Sequence, residues 1–401
     1  MTALAMSNLE PALKTDYIDG LNDQSNLATV MLNKLNRNHD LTGGNFVQEG
    51  HLSRHNPGVG SRGEGGTLPR PGIPTLGKAT FPLMTLYGRL RINGKVARAS
   101  SAQARARLAE AIDVQMASLL TAMPFEHNRM LFNDGSGIIA SIATTCANTI
   151  NLTVDTTQYV AEGDFLSVLN ETSGATVLAT AVVASISGAV VVIGSAITVT
   201  TAHSLFREGS FGQEIFGLES THSTANPPTA APTTYFGGLN RATNSWWKGN
   251  VLHNSGTNRD LSIGLMQQGY MESYIKGKGV IDFLIAHPDM WITYGGMITP
   301  DRRFMATDAQ FDAGFQYLVF NGSKFFFDLH CKNNRIYMSE LGSLTLWEYE
   351  GGYQWRDANG SILQNVAEKD QWEATVLKDT QFTSNHPNRM VKIADLNTNL
   401  N

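Results

Sequence analysis

Between Leu41 and Leu76 the chain strings together Gly43, Gly44, Gly50, Gly58, Gly60, Gly63, Gly65, Gly66 and Gly72 with Pro57, Pro69, Pro71 and Pro74, and supplies few large apolar residues. A stretch of this kind cannot bury enough surface to offset the entropy of ordering it as a compact domain. It is read as a long loop, and loops of that length without structure of their own are uncommon inside domains unless they have a function. Reaching a neighbouring subunit is one such function. Any fold assigned to the chain has to accommodate it.

A chain of 401 residues predicts two or three domains of roughly 100 to 200 residues each. Charged residues make up only 16% of it, below the roughly 25% of an average soluble chain, so something other than water is expected to cover part of the surface. The net charge of −5 argues against a general nucleic-acid binder, which would be basic overall. Charge is nevertheless uneven: His51 to Arg107 holds ten Lys or Arg and only Glu64 on the acidic side. That stretch either seeks an anionic partner, such as acidic surface on another subunit or DNA contacted without reading bases, or is a solvated face. Cys146 and Cys331 lie far apart and read as reduced thiols. The N-terminus, with Glu10 and Asp16, shows no secretory signal.

Thr172 to Phe206 contains no Asp, Glu, Lys or Arg and is long enough to span a bilayer. Its Val, Ile and Ala are interrupted by Gly174, Ser185, Ser187, Gly188, Gly194 and Ser195, which is the composition of strands joined by tight turns. A β-rich block over 148–212 is predicted, with strands at Asp164 to Leu169, Thr176 to Ile186 and Ala189 to Ile193. Ahead of it, Leu27 to Leu35 has partly helical spacing. Thr80 to Ile92 reads as a strand with Met84, Leu86, Leu90 and Ile92 on one face and Tyr87, Arg89 and Arg91 on the other. A helix capped by Ser100 or Ser101 follows, with Leu108, Ile112, Met116, Leu119, Leu120 and Met123 on one stripe. Pro124 is expected to end or kink it, and Asp134-Gly135-Ser136-Gly137 closes the region. After a Ser/Thr/Pro/Ala linker from Ser220 to Thr234, a helix is predicted over Leu261 to Lys276. Strands are predicted at Val280 to Ala286, Tyr317 to Phe320, Arg335 to Met338, Leu344 to Tyr349 and Trp372 to Leu377.

Catalytic signatures fail one by one. Asp134 stands where a nucleophile elbow before Ser136 needs its first glycine. The glycines from Gly58 to Gly66 lack the Lys-Ser/Thr pair of a phosphate loop. Asp328, His330 and Cys331, or His287 and Asp289, have no recognised metal spacing and read equally as polar residues at strand ends. The chain is therefore expected to be no enzyme and to need no cofactor or metal.

The order of parts, an N-terminal arm, a Gly-rich loop returning in a strand, a long helix and then a mixed remainder, resembles the tailed-bacteriophage major capsid protein family with the Hong Kong 97 coat fold. Four runs carry the resemblance in order: Glu64-Gly65-Gly66-Thr67-Leu68-Pro69, Tyr87-Gly88-Arg89-Leu90-Arg91-Ile92-Asn93-Gly94, Asn128 to Gly137, and Leu239 to Trp247. The resemblance implies an α+β coat fold with an arm (1–40), an extended loop and its strand (41–95), and a peripheral domain with a spine helix (96–147). An inserted all-β domain (148–212), a linker (213–236), an axial domain (237–330) and C-terminal strands (331–401) follow. It implies self-assembly into pentamers and hexamers of a virion shell in the host bacterial cytoplasm, with no membrane. A separate scaffolding protein, a portal, packaged double-stranded DNA and possible decoration proteins would be its partners. A nanocompartment shell of the same fold, and a β-rich binding or enzyme module, are the other readings.

Intersubunit contact candidates are Arg54, Arg62, Glu64, Arg70 and Lys78 on the loop and Arg89 and Arg91 on its strand. Trp246 and Trp247 read either as an interface anchor or as core, and Asp301, Arg302 and Arg303 either as a loop pairing around a symmetry axis or as a solvated turn.

Overall fold

The computed structural model describes residues 29–40, 44–93, 102–298, 310–312, 315–349, 352–357, 361–367 and 369–398. The predicted cap at Ser100 or Ser101 and the loop Asp301-Arg302-Arg303 lie outside them.

The stretch read as one loop contains regular structure. Phe46–Arg54 and Thr75–Pro82 pair antiparallel from Phe46↔Pro82 to Arg54↔Thr75, leaving only 55–74 irregular. Alternation explains the hairpin, because Val47, Glu49 and His51 face inward together with Gly77, Ala79 and Phe81 of the partner strand. At its base Val47, Ala79 and Phe81 pack with Phe216, Phe236 and Trp247.

From the hairpin the chain enters the return strand Met84–Asn93, whose faces divide as its alternation predicts: Leu90 and Ile92 are buried, while Tyr87, Arg89 and Arg91 are exposed. It pairs antiparallel with the long strand Gln371–Ser384, which also binds Leu344–Glu348; that strand in turn binds Asn36–Asn38. Across this sheet lies the spine helix, Ala102–Met130, whose Met116, Leu120 and Met123 meet Leu90, Ile92 and Val376. Gly88 permits the crossing, since a Cβ there would sit 2.6 Å from Met123 Sδ. Pro124 neither ends the helix nor stops its last turn. A proline in a helix interior loses one backbone bond, and here His127, Asn128, Arg129 and Met130 just beyond it are all buried.

The spine ends in Asp134-Gly135-Ser136-Gly137, where Asp134 Oδ1 accepts from the Ser136 amide at 3.0 Å. Gly137 (φ +83°) has no room for a side chain, because its Cβ would lie 2.5 Å from the Ser210 carbonyl oxygen. Immediately after it begins a six-stranded sheet in the order Ile138–Ser141, His203–Arg207, Phe165–Asn170, Thr176–Ser187, Val190–Val199, Cys146–Thr153. Its two edges meet: Ile142 bridges Val154, and the Ala143 amide donates to the Thr153 carbonyl at 2.9 Å. The result is a small barrel around Leu152, Leu166, Val168, Val191, Ile193 and Leu205. The charge-free stretch thus covers one face of its strands by its own fold. Its first strand, Ile138–Ser141, lies ahead of the expected β-block at 148.

The remaining sheet has seven strands in the order Asn250–Leu252, Val391–Ile393, Ile336–Ser339, Phe283–Ala286, Ser323–Phe327, Phe315–Phe320, Gln310–Asp312. Leu284, Ile336, Met338 and Phe325 on one face meet helices Ile263–Gly277 and Pro288–Ile298. Phe283, Ile285, Phe326 and Tyr337 on the other meet the spine end, Phe382 of the long strand, and the short helix Val30–Lys34. Ser262 caps the first of those helices, its Oγ accepting from the Leu265 amide at 3.2 Å. The axial sheet is thereby fused to the spine through a continuous core.

Candidate functional site

The hairpin is seated at its base and free at its tip. Its base is held by tryptophans: Trp347 Nε1 and Thr383 Oγ1 donate to Glu49 Oε1 at 3.1 and 2.8 Å, and the His51 ring lies 4.7 Å from that of Trp247. Glu49 Oε2 and His51 Nε2 face each other at 3.8 Å, longer than a hydrogen bond. Burial pushes the Glu49 carboxyl up and the His51 imidazole down, and His386 adds to the second shift. Both groups are therefore held toward their neutral forms.

Arg54, Arg62, Glu64 and Arg70 are all exposed around the tip, and Lys78 is exposed on the strand below it, opposite Gly50. Local bonds preorganise the tip. Arg62 Nε donates to the Thr67 carbonyl at 2.9 Å, and Asn56 Oδ1 accepts from the Gly58 amide at 2.8 Å. Val59 is 88% exposed, Leu68 81% and Ile73 84%, so the apolar side chains of the tip have little to pack on among the described residues.

The candidates nearer the body have partners already. Arg89 and Arg91 both bind Glu373 of the long strand, Arg91 at 3.3 Å. Trp247 is fully buried and donates from Nε1 to the Phe236 carbonyl at 2.8 Å. It belongs to the hairpin's seat, as in the core alternative of its two readings. Trp246, half-buried, packs on the hairpin at Gly77. Arg241, which sequence reasoning used only as part of a motif, organises this seat. Its guanidinium donates to the carbonyls of Trp247 (3.1 Å), Ala225 (2.7 Å) and Ser220 (2.7 Å) and lies 4.9 Å from the Phe236 ring centre. A buried arginine with no carboxylate beside it has no signature in a single sequence.

Ion pairs tie the other parts to the spine. Arg129, buried, binds Glu126 at 2.8 Å and also Glu214; Arg207 of the barrel reaches Glu126 at 3.7 Å and Asp164 at 2.7 Å. Glu219 receives Arg335 at 2.7 Å and Lys392 at 2.5 Å. Burial pushes the Glu219 carboxyl up, but Arg335 and Lys392 outweigh it and hold the group well below the usual range.

Asp328 accepts from Asn128 Nδ2 and the Met31 amide, so it is engaged in packing. Burial pushes the Cys331 thiol far up. Among the described residues no three His, Cys, Asp or Glu side chains gather as a metal site, and no helix is long and apolar enough to cross a membrane.

A hairpin loop on a return strand, a spine helix crossing a long-strand sheet, and an axial sheet fused to the spine's end define the Hong Kong 97-type fold of tailed-phage coat proteins. The capsid asymmetric unit of cyanophage A-1(L) shares it with 12% identity and a TM-score of 0.55, over 92% of this chain and 93% of that one. Mycobacterium phage Bobi matches at 9% identity and TM-score 0.46 over 98% and 99%. The holo-SrpI encapsulin complex from Synechococcus elongatus PCC 7942 matches at 9% and 0.42 over 92% and 87%. No family model and no curated protein matches the sequence.

Proposed function

We propose that this chain is a major coat protein, assembling with copies of itself into pentamers and hexamers of an icosahedral phage head around double-stranded DNA. One observation carries the reading. In a chain with the coat fold, a hairpin built on a tryptophan-lined seat holds the apolar side chains Val59, Leu68 and Ile73 out in solvent. Apolar surface held in that way is stabilised when another molecule covers it, and in a self-assembling shell that molecule is the next subunit. The exposed arginines of the loop fit the same use, since polar contacts at the rim of an interface set its register.

In this reading the protein acts without catalysis, inside the host cytoplasm, with a scaffolding protein and a portal directing closure. DNA is touched through phosphates alone. A nanocompartment shell of the same fold is the alternative, and the inserted barrel weighs against it.

Negative-stain electron microscopy of the purified chain, alone and with the scaffolding protein encoded beside it, tests the proposal. Uniform shells or capsomers are expected, their diameter separating a phage head from a small compartment. Removing Gly50 to Leu76 is expected to leave a soluble subunit that builds none. Normal shells from that deletion, or dispersed monomers from both full-length preparations, would overturn the reading.

A further inference from the structure

A cavity of about 770 Å³ opens beside the hairpin's seat, between the strand Phe46–Arg54, the C-terminal end of helix Ile263–Gly277 and the 3₁₀ turn Pro387–Arg389. Trp246, Trp247 and Trp347 form part of its wall. In a chain with a net charge of −5, this lining is basic. Lys276, Lys278 and Arg389 with His51, His55 and His386 stand against Glu49 alone. Burial holds that one carboxyl toward its neutral form, and its Oε1 is taken by Trp347 and Thr383.

Two of the cations are held side by side. Arg389 donates from Nε to the Gly277 carbonyl at 3.2 Å and from Nη1 to Glu340 at 2.8 Å, which leaves Nη2 without a partner among the described residues. Gly277 and Gly279 close on that side chain, since a Cβ at either would fall 2.7 Å from one of its carbons. Lys278, between them, adopts the left-handed conformation at φ +51°. That conformation is unfavourable for a residue with a side chain, and such positions gather at functional sites. Lys276 pairs with Glu272 at 2.5 Å, but Lys278 is exposed and has no carboxylate in salt-bridge reach among the described residues. The buried His51 Nε2 likewise has no hydrogen-bond partner there.

We infer that this cavity binds a phosphate-class oxyanion, with Lys278 and Nη2 of Arg389 as its fixed donors and the exposed His55 and His386 beside them. The number of donors selects phosphate over carboxylate. Ammonium, guanidinium and imidazole groups come from three separate elements, more than the two oxygens of a carboxylate can serve, whereas a phosphate presents oxygens on every side. The volume leaves room for a substituent on the phosphate, with Trp246 as its neighbour. Free phosphate and a phosphate carried by nucleic acid share this chemistry. The site goes beyond the coat reading and does not depend on it, because every residue named belongs to one subunit.

Titration calorimetry of the purified full-length chain with inorganic phosphate tests the site, and saturable binding is expected. Lys278→Gly suits the left-handed backbone. Its melting midpoint is therefore expected to match or exceed that of the parent, while its affinity falls roughly tenfold, the loss of one charge-assisted hydrogen bond. His386→Gln is expected to weaken binding severalfold. Lys369→Gly, which removes an exposed cation outside the cavity, is expected to leave it unchanged. Competition by a short DNA duplex divides the sources, both consistent with the site: displacement of phosphate from the parent assigns it to nucleic-acid phosphate, and no displacement to the free anion. Uptake that never saturates would mean an adventitious ion only and would overturn the inference. So would equal losses in Lys278→Gly and Lys369→Gly. None of these outcomes bears on shell formation, which electron microscopy tests separately.

Discussion

The Trp246 ring occupies the space into which a side chain at Gly77 would project: a Cβ there would lie 2.9 Å from Cη2 and 3.0 Å from Cζ2. Gly77 is the hairpin residue paired with His51, so this contact fixes where the loop leaves the body. Gly77→Val must displace the indole from a packed seat, which is expected to cost about 1–3 kcal/mol. Thermal melting of the purified subunit measures it, and an unchanged midpoint would show that Trp246 does not clamp the hairpin.

Acid is expected to weaken the subunit through its buried histidines. His222 is held neutral by burial, its imidazole lowered to about 3, with Nε2 2.9 Å from Ser339 Oγ and Nδ1 2.9 Å from the Leu218 carbonyl. Burial lowers His127 as well, with Lys378 and Arg37 adding to the shift. A histidine whose folded value is depressed costs nothing above its unfolded value near 6.5. As pH falls below that, the unfolded chain takes the proton and the folded one does not. For His222 alone the loss reaches about 2 kcal/mol at pH 5. Denaturant midpoints measured from pH 7 to pH 5 should fall with acidification, and less steeply in His222→Gln. A flat profile over that window would refute the assignment.

Arg241 is expected to be among the residues least tolerant of change outside the apolar core. Arg241→Met keeps much of the volume but leaves the carbonyls of Trp247, Ala225 and Ser220 without their donor. Ala225 is exposed and the Ser220 carbonyl keeps the Ser223 amide at 3.4 Å, so the buried Trp247 carbonyl carries most of the loss, roughly 1–3 kcal/mol for an acceptor left unpaired, read in urea unfolding. A loss below about 0.5 kcal/mol would mean that water replaces the guanidinium freely.

Elements that bury a pattern of their own were legible in the sequence. The return strand shows its two faces in the alternation of Leu90 and Ile92 with Arg89 and Arg91, and the spine in the recurrence of Met116, Leu120 and Met123. What depends on a distant partner was not. Nothing near Arg89 or Arg91 announces Glu373, and nothing in Ile138–Ser141 announces pairing with His203–Arg207. Trp246 and Trp247 look alike in sequence, and only the 3₁₀ turn Ser245–Trp247 sends one into the core and leaves the other against the hairpin. The loop was recognisable by its glycines and prolines, yet these concealed a hairpin, because Glu49 and His51 hold inward positions that apolar residues would normally mark.

The neck of the loop tip separates stability from assembly. Gly72 lies so close to the opposite arm that a Cβ would fall 2.5 Å from Pro57 Cδ and 2.6 Å from Asn56 Oδ1, whereas at Gly60 the nearest atom, Arg62 Nη1, is 3.6 Å away. Gly72→Ala must therefore spread the neck and disturb the Asn56 bond that shapes the tip, while Gly60→Ala fits with ordinary contact. Because the tip stands away from the body among the described residues, neither change should alter subunit melting by more than about 0.5 kcal/mol. Shell yield by electron microscopy and light scattering should drop severalfold for Gly72→Ala and stay at the parent level for Gly60→Ala. Equal assembly by the two variants would mean that the tip is reshaped by its partner on docking, and that the preorganised neck contributes nothing to it.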